Sequence, residues 1–211
     1  VEADFDYSDR LNILNENILT YNKTFAKVHD FDVLLGASYQ KQKDFSLSME
    51  TLSGSIPDDK IRTLNAGVIS DGSTFEQEWG LIAYFGRLNY AFSNKYFLSV
   101  AYRTDGSSKF GEDNRWGTFP SVSAGWRLDQ EKFLSSVSAI SMMKIRLSYG
   151  LTGRTPRGYY EHVARVQNLA YTLGSGNGAL VNGATQGTFG NTELSWEKTK
   201  EYNFGFDLRL F

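Results

Sequence analysis

Two runs of alternating apolar and polar residues, separated by a loop rich in glycine and charge, constrain this chain more than any other feature. Tyr96, Leu98, Val100 and Tyr102 share one phase, with Ser99, Ala101 and Arg103 in the other. Beyond the loop, Val122, Ala124, Trp126 and Leu128 alternate with Ser121, Ser123, Gly125, Arg127 and Asp129. A period of two is the period of a strand, whose successive side chains point to opposite faces of a sheet. The stretch DGSSKFGEDNRWGTFPSVSAGW, from Asp105 to Trp126, is thus a loop and a strand of a sheet whose outer face meets something apolar.

Five further runs read as strands, giving seven in an all-β, antiparallel up-and-down meander. The first covers residues 12–24, where Ile13, Leu19 and Tyr21 share an imperfect phase. A turn over 26–30 leads to the second, in which Phe31, Val33, Leu35, Ala37 and Tyr39 alternate with polar or small residues. Residues 44–75 are polar and turn-rich and read as a long loop, with a helical turn expected over 58–64. The third strand begins at Trp79 and carries Ile82, Tyr84, Gly86, Leu88, Tyr90 and Phe92 on one face; a tight turn over 91–95 joins it to the fourth. After the fifth, Phe133, Leu134, Val137 and Ile140 have helical spacing, which predicts one or two helical turns within 130–141. The sixth sets Met143, Ile145, Leu147, Tyr149 and Leu151 against Lys144, Arg146 and Ser148. Residues 152–191 read as a long Gly-rich connection with local order over 159–167, and the seventh strand runs from Trp196 to Leu210.

The connections run short, long, short, medium, short, long. Antiparallel strands with that rhythm place the short turns at one end and the long loops at the other, the asymmetry of an outer-membrane barrel. Tyr96, Tyr102, Trp116, Phe119, Trp126 and Tyr149 near strand ends fit interfacial aromatic girdles. The charged residues Arg87, Arg103, Arg127, Lys144, Arg146, Glu197, Asp207 and Arg209 are costly toward lipid and suited to a hydrated lumen, or equally to the solvated face of a soluble sheet. No run reaches the roughly 18–20 apolar residues that a spanning helix needs, whereas a spanning strand needs only about 9–11.

Composition agrees: 20 Gly, 12 Tyr and 15 Phe beside 3 Pro favour short alternating strands. The absence of Cys removes disulfides, thiol–metal sites and a Cys nucleophile. A net charge of -2 with scattered basic residues gives no footprint for nucleic acid. The start lacks a signal-peptide pattern and Val1 is not an initiator Met, so the numbering is expected to begin inside a longer precursor; Phe211, out of phase with Phe204, Phe206, Leu208 and Leu210, is expected to be a cut point.

Candidates for chemistry are few. His29 and His162 have no partners at metal-ligand spacing and read as exposed loop or turn residues. Asp105, Glu112 and Asp113 allow a calcium reading, but without EF-hand spacing a solvated loop fits better. Ser107 and Ser108 lack a base motif, GSSKFG lacks the ending of a phosphate loop, and Gly174, Gly176, Gly178 and Gly183 have no βαβ unit around them. No catalytic, cofactor or metal residue is assigned, and no cofactor is expected.

Four fragments carry a family resemblance: YFGRLNY at 84–90, NKYFLSVAYRTDGSSKFG at 94–111, KIRLSYGLTG at 144–153 and ELSWEKTKEYNFGFDLRLF at 193–211. In this order they resemble SusC/RagA-like TonB-dependent outer-membrane transporters; residues 1–78 fit more loosely, through ENILTYNKTF and FDVLLGASYQ. The resemblance implies that residues 1–211 are one partial β-barrel domain, about a third of a barrel of roughly 22 strands with a plugged lumen. It further implies a Gram-negative outer-membrane location, energy through TonB by way of an N-terminal part, and a SusD-like surface lipoprotein as partner. The imported nutrient would be oligosaccharide or peptide, and the chain itself no enzyme. Arg154 stands where many members have Asn, so nothing is carried over to the loop that follows it. The competing reading is a soluble or surface-attached β-sandwich that binds carbohydrate through Trp79, Trp116 and Trp196; a hydrolase lacks a nucleophile, base and orienting acid at usable spacing.

Overall fold

The computed structural model describes residues 1–61, 63–134, 137, 139–173 and 179–211. Its strands are β1 Asp4–Phe25, β2 His29–Thr51, β3 Ile69–Phe92, β4 Tyr96–Ser107, β5 Trp116–Arg127, β6 Ile140–Arg154, β7 Arg165–Leu173, β8 Ala179–Thr188 and β9 Glu197–Leu210. Seven form one sheet in the order β1-β2-β3-β4-β5-β6-β9, and β7 pairs with β8 as a separate hairpin. The seven-stranded meander is the one expected, with β9 as its seventh strand.

Contacts divide the chain into two compact units. The first comprises Val1–Asn15 and Gln40–Gly80. Here the strands run further than apolar alternation indicates: β1 starts at Asp4, β2 continues to Thr51 and β3 starts at Ile69, so the expected loop 44–75 shrinks to residues 52–68. Cross-strand ion pairs replace apolar pairs, with Arg10–Asp44 at 2.7 Å, Lys41–Glu78 at 2.9 Å and Lys43–Glu76 at 2.8 Å. The helical turn expected over 58–64 forms instead at Leu64–Ala66, and the loop folds over a buried Ile56 and Thr51.

The second unit comprises Glu16–Tyr39 and Leu81–Phe211. Its tight turns are of one kind. Ala26 and Lys27 have φ of 48° and 62°, Ser93 and Asn94 of 49° and 53°, and each turn is closed by a bond from Val28 N–H to the Phe25 carbonyl or from Lys95 N–H to the Phe92 carbonyl. Two successive left-handed residues define the type I′ turn, whose twist matches that of the strands it joins. The turns lie side by side, since Ser93 N–H donates to the Val28 carbonyl at 2.7 Å and Arg127 N–H to the Lys95 carbonyl at 2.8 Å.

Past β5 the chain makes a 3-10 turn over Leu128–Gln130, then further i to i+3 bonds from Leu134 to Glu131 and Val137 to Leu134, the short helical character expected there. Leu128, expected to continue the apolar phase of β5, is instead buried in that turn. Residues 152–191 are not only loop. Turns over 159–163 precede β7, and β7 and β8 pair antiparallel from Arg165↔Thr188 to Leu173↔Ala179. Gly183 sits in β8 under the Tyr171 ring, while Gly174, Gly176 and Gly178 lie outside the described residues.

Asp129 ties the turn after β5 to the next strand. Its carboxylate accepts from Arg127 Nη2 at 2.6 Å, Gln130 Nε2 at 2.8 Å and the Met143 backbone N–H at 3.1 Å. The Arg127 guanidinium foremost, then these amides, hold the carboxyl well below the usual carboxylate range. A depressed folded pKa stabilises above the unfolded value of about 3.9 and is lost as pH falls through the folded one. Asp129→Asn in the full-length receptor is therefore expected to lose about 1 kcal/mol at pH 7 by urea unfolding. The gap to wild type should close as pH falls below about 4; a gap independent of pH contradicts this role.

Candidate functional site

The site is the wall itself, and its geometry follows from register. From β3 to β9 the pairing lines up three rows in one phase: Leu88–Val100–Val122–Tyr149–Tyr202, Tyr90–Leu98–Ala124–Leu147–Phe204 and Phe92–Tyr96–Trp126–Ile145–Phe206. Leu98, Val100, Val122 and Trp126 are 41, 41, 40 and 39% exposed, and Tyr202 and Phe204 far more, so among the described residues nothing covers this face. Burying an apolar side chain from full exposure stabilises by about 1.5–3 kcal/mol, so covering the part of each still exposed here contributes a fraction of that and favours an apolar neighbour.

Aromatic rings border the face at both ends. At the short turns Tyr96 stacks on Phe92 at 6.2 Å and on Trp126 at 6.3 Å. At the other end Trp116 stands opposite Gly106, and its indole lies across that glycine to stack on Tyr84 at 6.3 Å; a Cβ at 106 would press the ring at 3.0 Å. From Tyr96 to Gly106 is ten residue steps, about 33 Å of strand, or about 25 Å in height at a tilt near 40°. That is the apolar band of a transmembrane barrel.

The opposite phase is polar in the same register. Asn89, Ser99, Ser123, Ser148 and Asn203 form one row, and Arg87, Ala101, Ser121, Gly150 and Glu201 the next. Ser99 donates to Asn89 at 2.6 Å and Asn89 to Asp32 at 2.9 Å. This face holds a concavity of about 690 Å³, lined by Lys23, Asp32, Asn89, Ser99, Lys144 and Arg146 among others. Several of the charges expected on this side are paired or braced. Arg146 meets Asp207 at 2.8 Å, Arg103 meets Asp105 at 2.9 Å and lies over Phe85, and Lys144 lies over Phe97 at 4.5 Å. Arg87 stands opposite Ala101, Glu197 opposite Arg154 and Arg209 opposite Met142.

The loop 108–115 is locked rather than free. Phe110 is wholly buried against Phe119 and Trp196, with ring centroids 5.0 Å and 5.2 Å from the indole. Trp196 Nε1 donates to the Arg115 carbonyl at 3.0 Å, Asn114 to the Thr192 carbonyl at 3.1 Å, and Lys109 Nζ to the Pro156 carbonyl at 3.2 Å. Burial pushes the Lys109 ammonium down from its ordinary value, with Glu161 opposing. The Phe119 ring occupies the space above Gly153, where a Cβ would collide with it. Phe119 therefore belongs to this cluster and not to a girdle, and Tyr149 sits in mid-wall against Tyr202 at 4.9 Å. Trp196, expected as a carbohydrate platform, is buried, Trp116 is spent on Tyr84 and Trp79 is half-buried.

The remaining candidates are structural. His29 Nδ1 and the Tyr90 hydroxyl are 2.8 Å apart, His162 Nδ1 lies 3.1 Å from the Lys109 carbonyl oxygen, and both rings are half-buried rather than exposed. Buried Ser107 accepts from Lys109 N–H, while Glu112 and Asp113 are exposed in a 3-10 turn. Among the described residues, the acids whose oxygens gather within 4.8 Å are Glu2, Asp4 and Glu50, all exposed, and not the Asp105 group.

The model of the TonB dependent receptor-like β-barrel family matches residues 2–211. The chain belongs to that family. TonB-dependent receptor P3 of Formosa agariphila is 35% identical over 211 residues, all of this chain and 21% of that protein. SusC of Bacteroides thetaiotaomicron is 40% identical over 132 residues, 60% of this chain and 13% of that protein. Among solved structures, the RagAB peptide transporter superposes on the whole chain at a TM-score of 0.82 and 27% identity, over 23% of its own chain. The open-open state of the RagAB peptide importer gives 0.85 at the same identity. This receptor segment thus spans about a fifth of the length of such relatives, and its SusC/RagA-like motifs read correctly.

Val100 is near mid-height of the apolar band and Ser121 is on the polar face. Val100→Arg is expected to cost about 2–4 kcal/mol and to abolish the folded, heat-modifiable gel band of the full-length receptor, while Ser121→Lys costs less than about 1 kcal/mol and keeps it. Equal effects would contradict the two-faced assignment.

Proposed function

We propose that this chain is part of the barrel wall of an outer-membrane, TonB-dependent importer in a Gram-negative cell, a passive wall and loop set with no chemistry of its own. The observation that carries the reading is the mostly apolar face, about 25 Å tall between two aromatic borders and broken near its Trp116 border by Thr104 and Thr118, backed in register by a polar face. Seven strands are about a third of a barrel of roughly 22. In this reading the short type I′ turns face the periplasm, and the loop 108–115 and the β7–β8 hairpin face outward. A SusD-like lipoprotein then covers the outer side, TonB acts through a part of the protein outside this chain, and the cargo is oligosaccharide or peptide.

The support for a peptide or glycan cargo comes from relatives: one matched structure is a peptide transporter, and another match is SusC. Against the sandwich alternative stands the seven-stranded sheet whose apolar face no described residue covers, where a sandwich would bury that face under a second sheet.

The full-length product should fractionate with the outer membrane, migrate faster unheated than boiled, and bring down a lipoprotein in mild detergent. Uptake of a labelled oligosaccharide or peptide should stop when TonB is removed. A soluble, monomeric full-length product would overturn the proposal.

A further inference from the structure

The middle apolar row dips at Ala124. Between Leu98 and Leu147 its methyl leaves a groove of about 610 Å³, walled by Tyr96, Leu98, Trp126, Ile145 and Leu147. The groove ends, on the short-turn side, at a polar pair. Tyr96 O–H donates to Glu131 Oε1 at 2.6 Å and Trp126 Nε1 donates to the same oxygen at 3.1 Å. Lys95 Nζ stands 3.6 Å from Glu131 Oε2, and the two side chains keep 29% and 17% of their exposure. The Tyr96 hydroxyl first, then the Trp126 indole, hold the Glu131 carboxyl below its ordinary range, so it is ionised at neutral pH. A fixed anion and a fixed cation therefore stand together at the mouth of an apolar groove, and two of the residues that wall the groove, Tyr96 and Trp126, position the anion.

We propose that this groove binds one acyl chain of an aminophospholipid, whose ammonium group pairs with Glu131 and whose phosphate pairs with Lys95. The charge order decides the occupant. A phosphate head without an amine satisfies Lys95 and sets its own negative charge against Glu131; a head carrying both charges satisfies both. Selectivity thus resides in the head-group pair and retention in the dip at Ala124. The inference rests on the reading of this face as the lipid-facing wall.

The test uses the full-length receptor in nanodiscs of equimolar phosphatidylethanolamine and phosphatidylglycerol, released into detergent for native mass spectrometry of retained lipid. Wild type should keep phosphatidylethanolamine over phosphatidylglycerol by about fivefold, the worth of one partly solvated ion pair. Glu131→Gln, which still accepts from Tyr96 and Trp126, should bring the ratio near one, and Ala124→Leu should reduce retention of both lipids. Equal retention by wild type, or unchanged phosphatidylethanolamine retention in Ala124→Leu, overturns the lipid site. Heat-modifiable mobility of each variant separates this from failure of the wall reading, because a receptor that never enters the membrane loses that mobility altogether.

Discussion

Register in the antiparallel ladder is the constraint on which the rest of the structure depends. A slip of one residue in any pair from β3 to β9 would carry Leu, Val and Tyr to the polar side and Ser, Asn and Arg to the apolar one. With the apolar face as the lipid-facing wall proposed above, such a slip is costly twice over, because apolar side chains turn to the hydrated side and charged groups enter a medium that cannot solvate them. The same ladder satisfies the backbone N–H and C=O groups strand to strand, which an apolar surrounding demands. Type I′ turns at 26–27 and 93–94 allow no slack in the strands they join, so register is set locally at the turns and confirmed by the pattern along each strand.

The two ends of the second unit are built by different means. At the short turns, backbone bonds between neighbouring turns and the carboxylates of Asp129 and Glu131 tie strand ends together. At the other end, long connections have no such templates and are held by a small apolar core. Phe110, Phe119 and Trp196 come from a loop, a strand and the approach to β9, and their burial gives the loop a fixed form with one short 3-10 turn. The conspicuous motif between β4 and β5 is therefore first a folding device: Phe110 is its anchor, and Lys109 and Asn114 fasten it to the connection ahead of β9.

How much could be read from the chain differs from element to element for physical reasons. β4, β5, β6 and β9 have one apolar phase, and that phase alone gives their faces and much of their extent. In the first unit the apolar phase, Phe5, Tyr7 and Phe45 among others, is broken by polar and charged residues, so β1, β2 and β3 look shorter than they are until Arg10, Lys41 and Lys43 are seen beside Asp44, Glu78 and Glu76. The β7–β8 hairpin is masked in the same way by its glycine, asparagine and threonine. Phe119 is instructive: its parity sets it with Ser121 and Ser123, and only its aromatic character suggests a girdle. Of its partners, Phe110 lies across the preceding loop and Trp196 is distant in sequence, and no local pattern signals that they meet. The groove beside Glu131 is equally hidden, since it depends on Ala124 standing between larger neighbours on two other strands.

The most direct measurement is a single-cysteine scan of β4 from Tyr96 to Gly106 in the full-length receptor, assembled in a bilayer. This stretch contains no native thiol, and with any cysteine elsewhere in the receptor replaced by serine each introduced cysteine is a clean probe. A fluorophore at positions 98, 100 and 102 should be quenched by brominated lipid and shielded from a water-soluble maleimide. Positions 99, 101 and 103 should show the opposite, a period of two that holds along the strand. Uniform quenching, uniform labelling or a period near 3.6 would contradict a wall with one lipid face and one polar face.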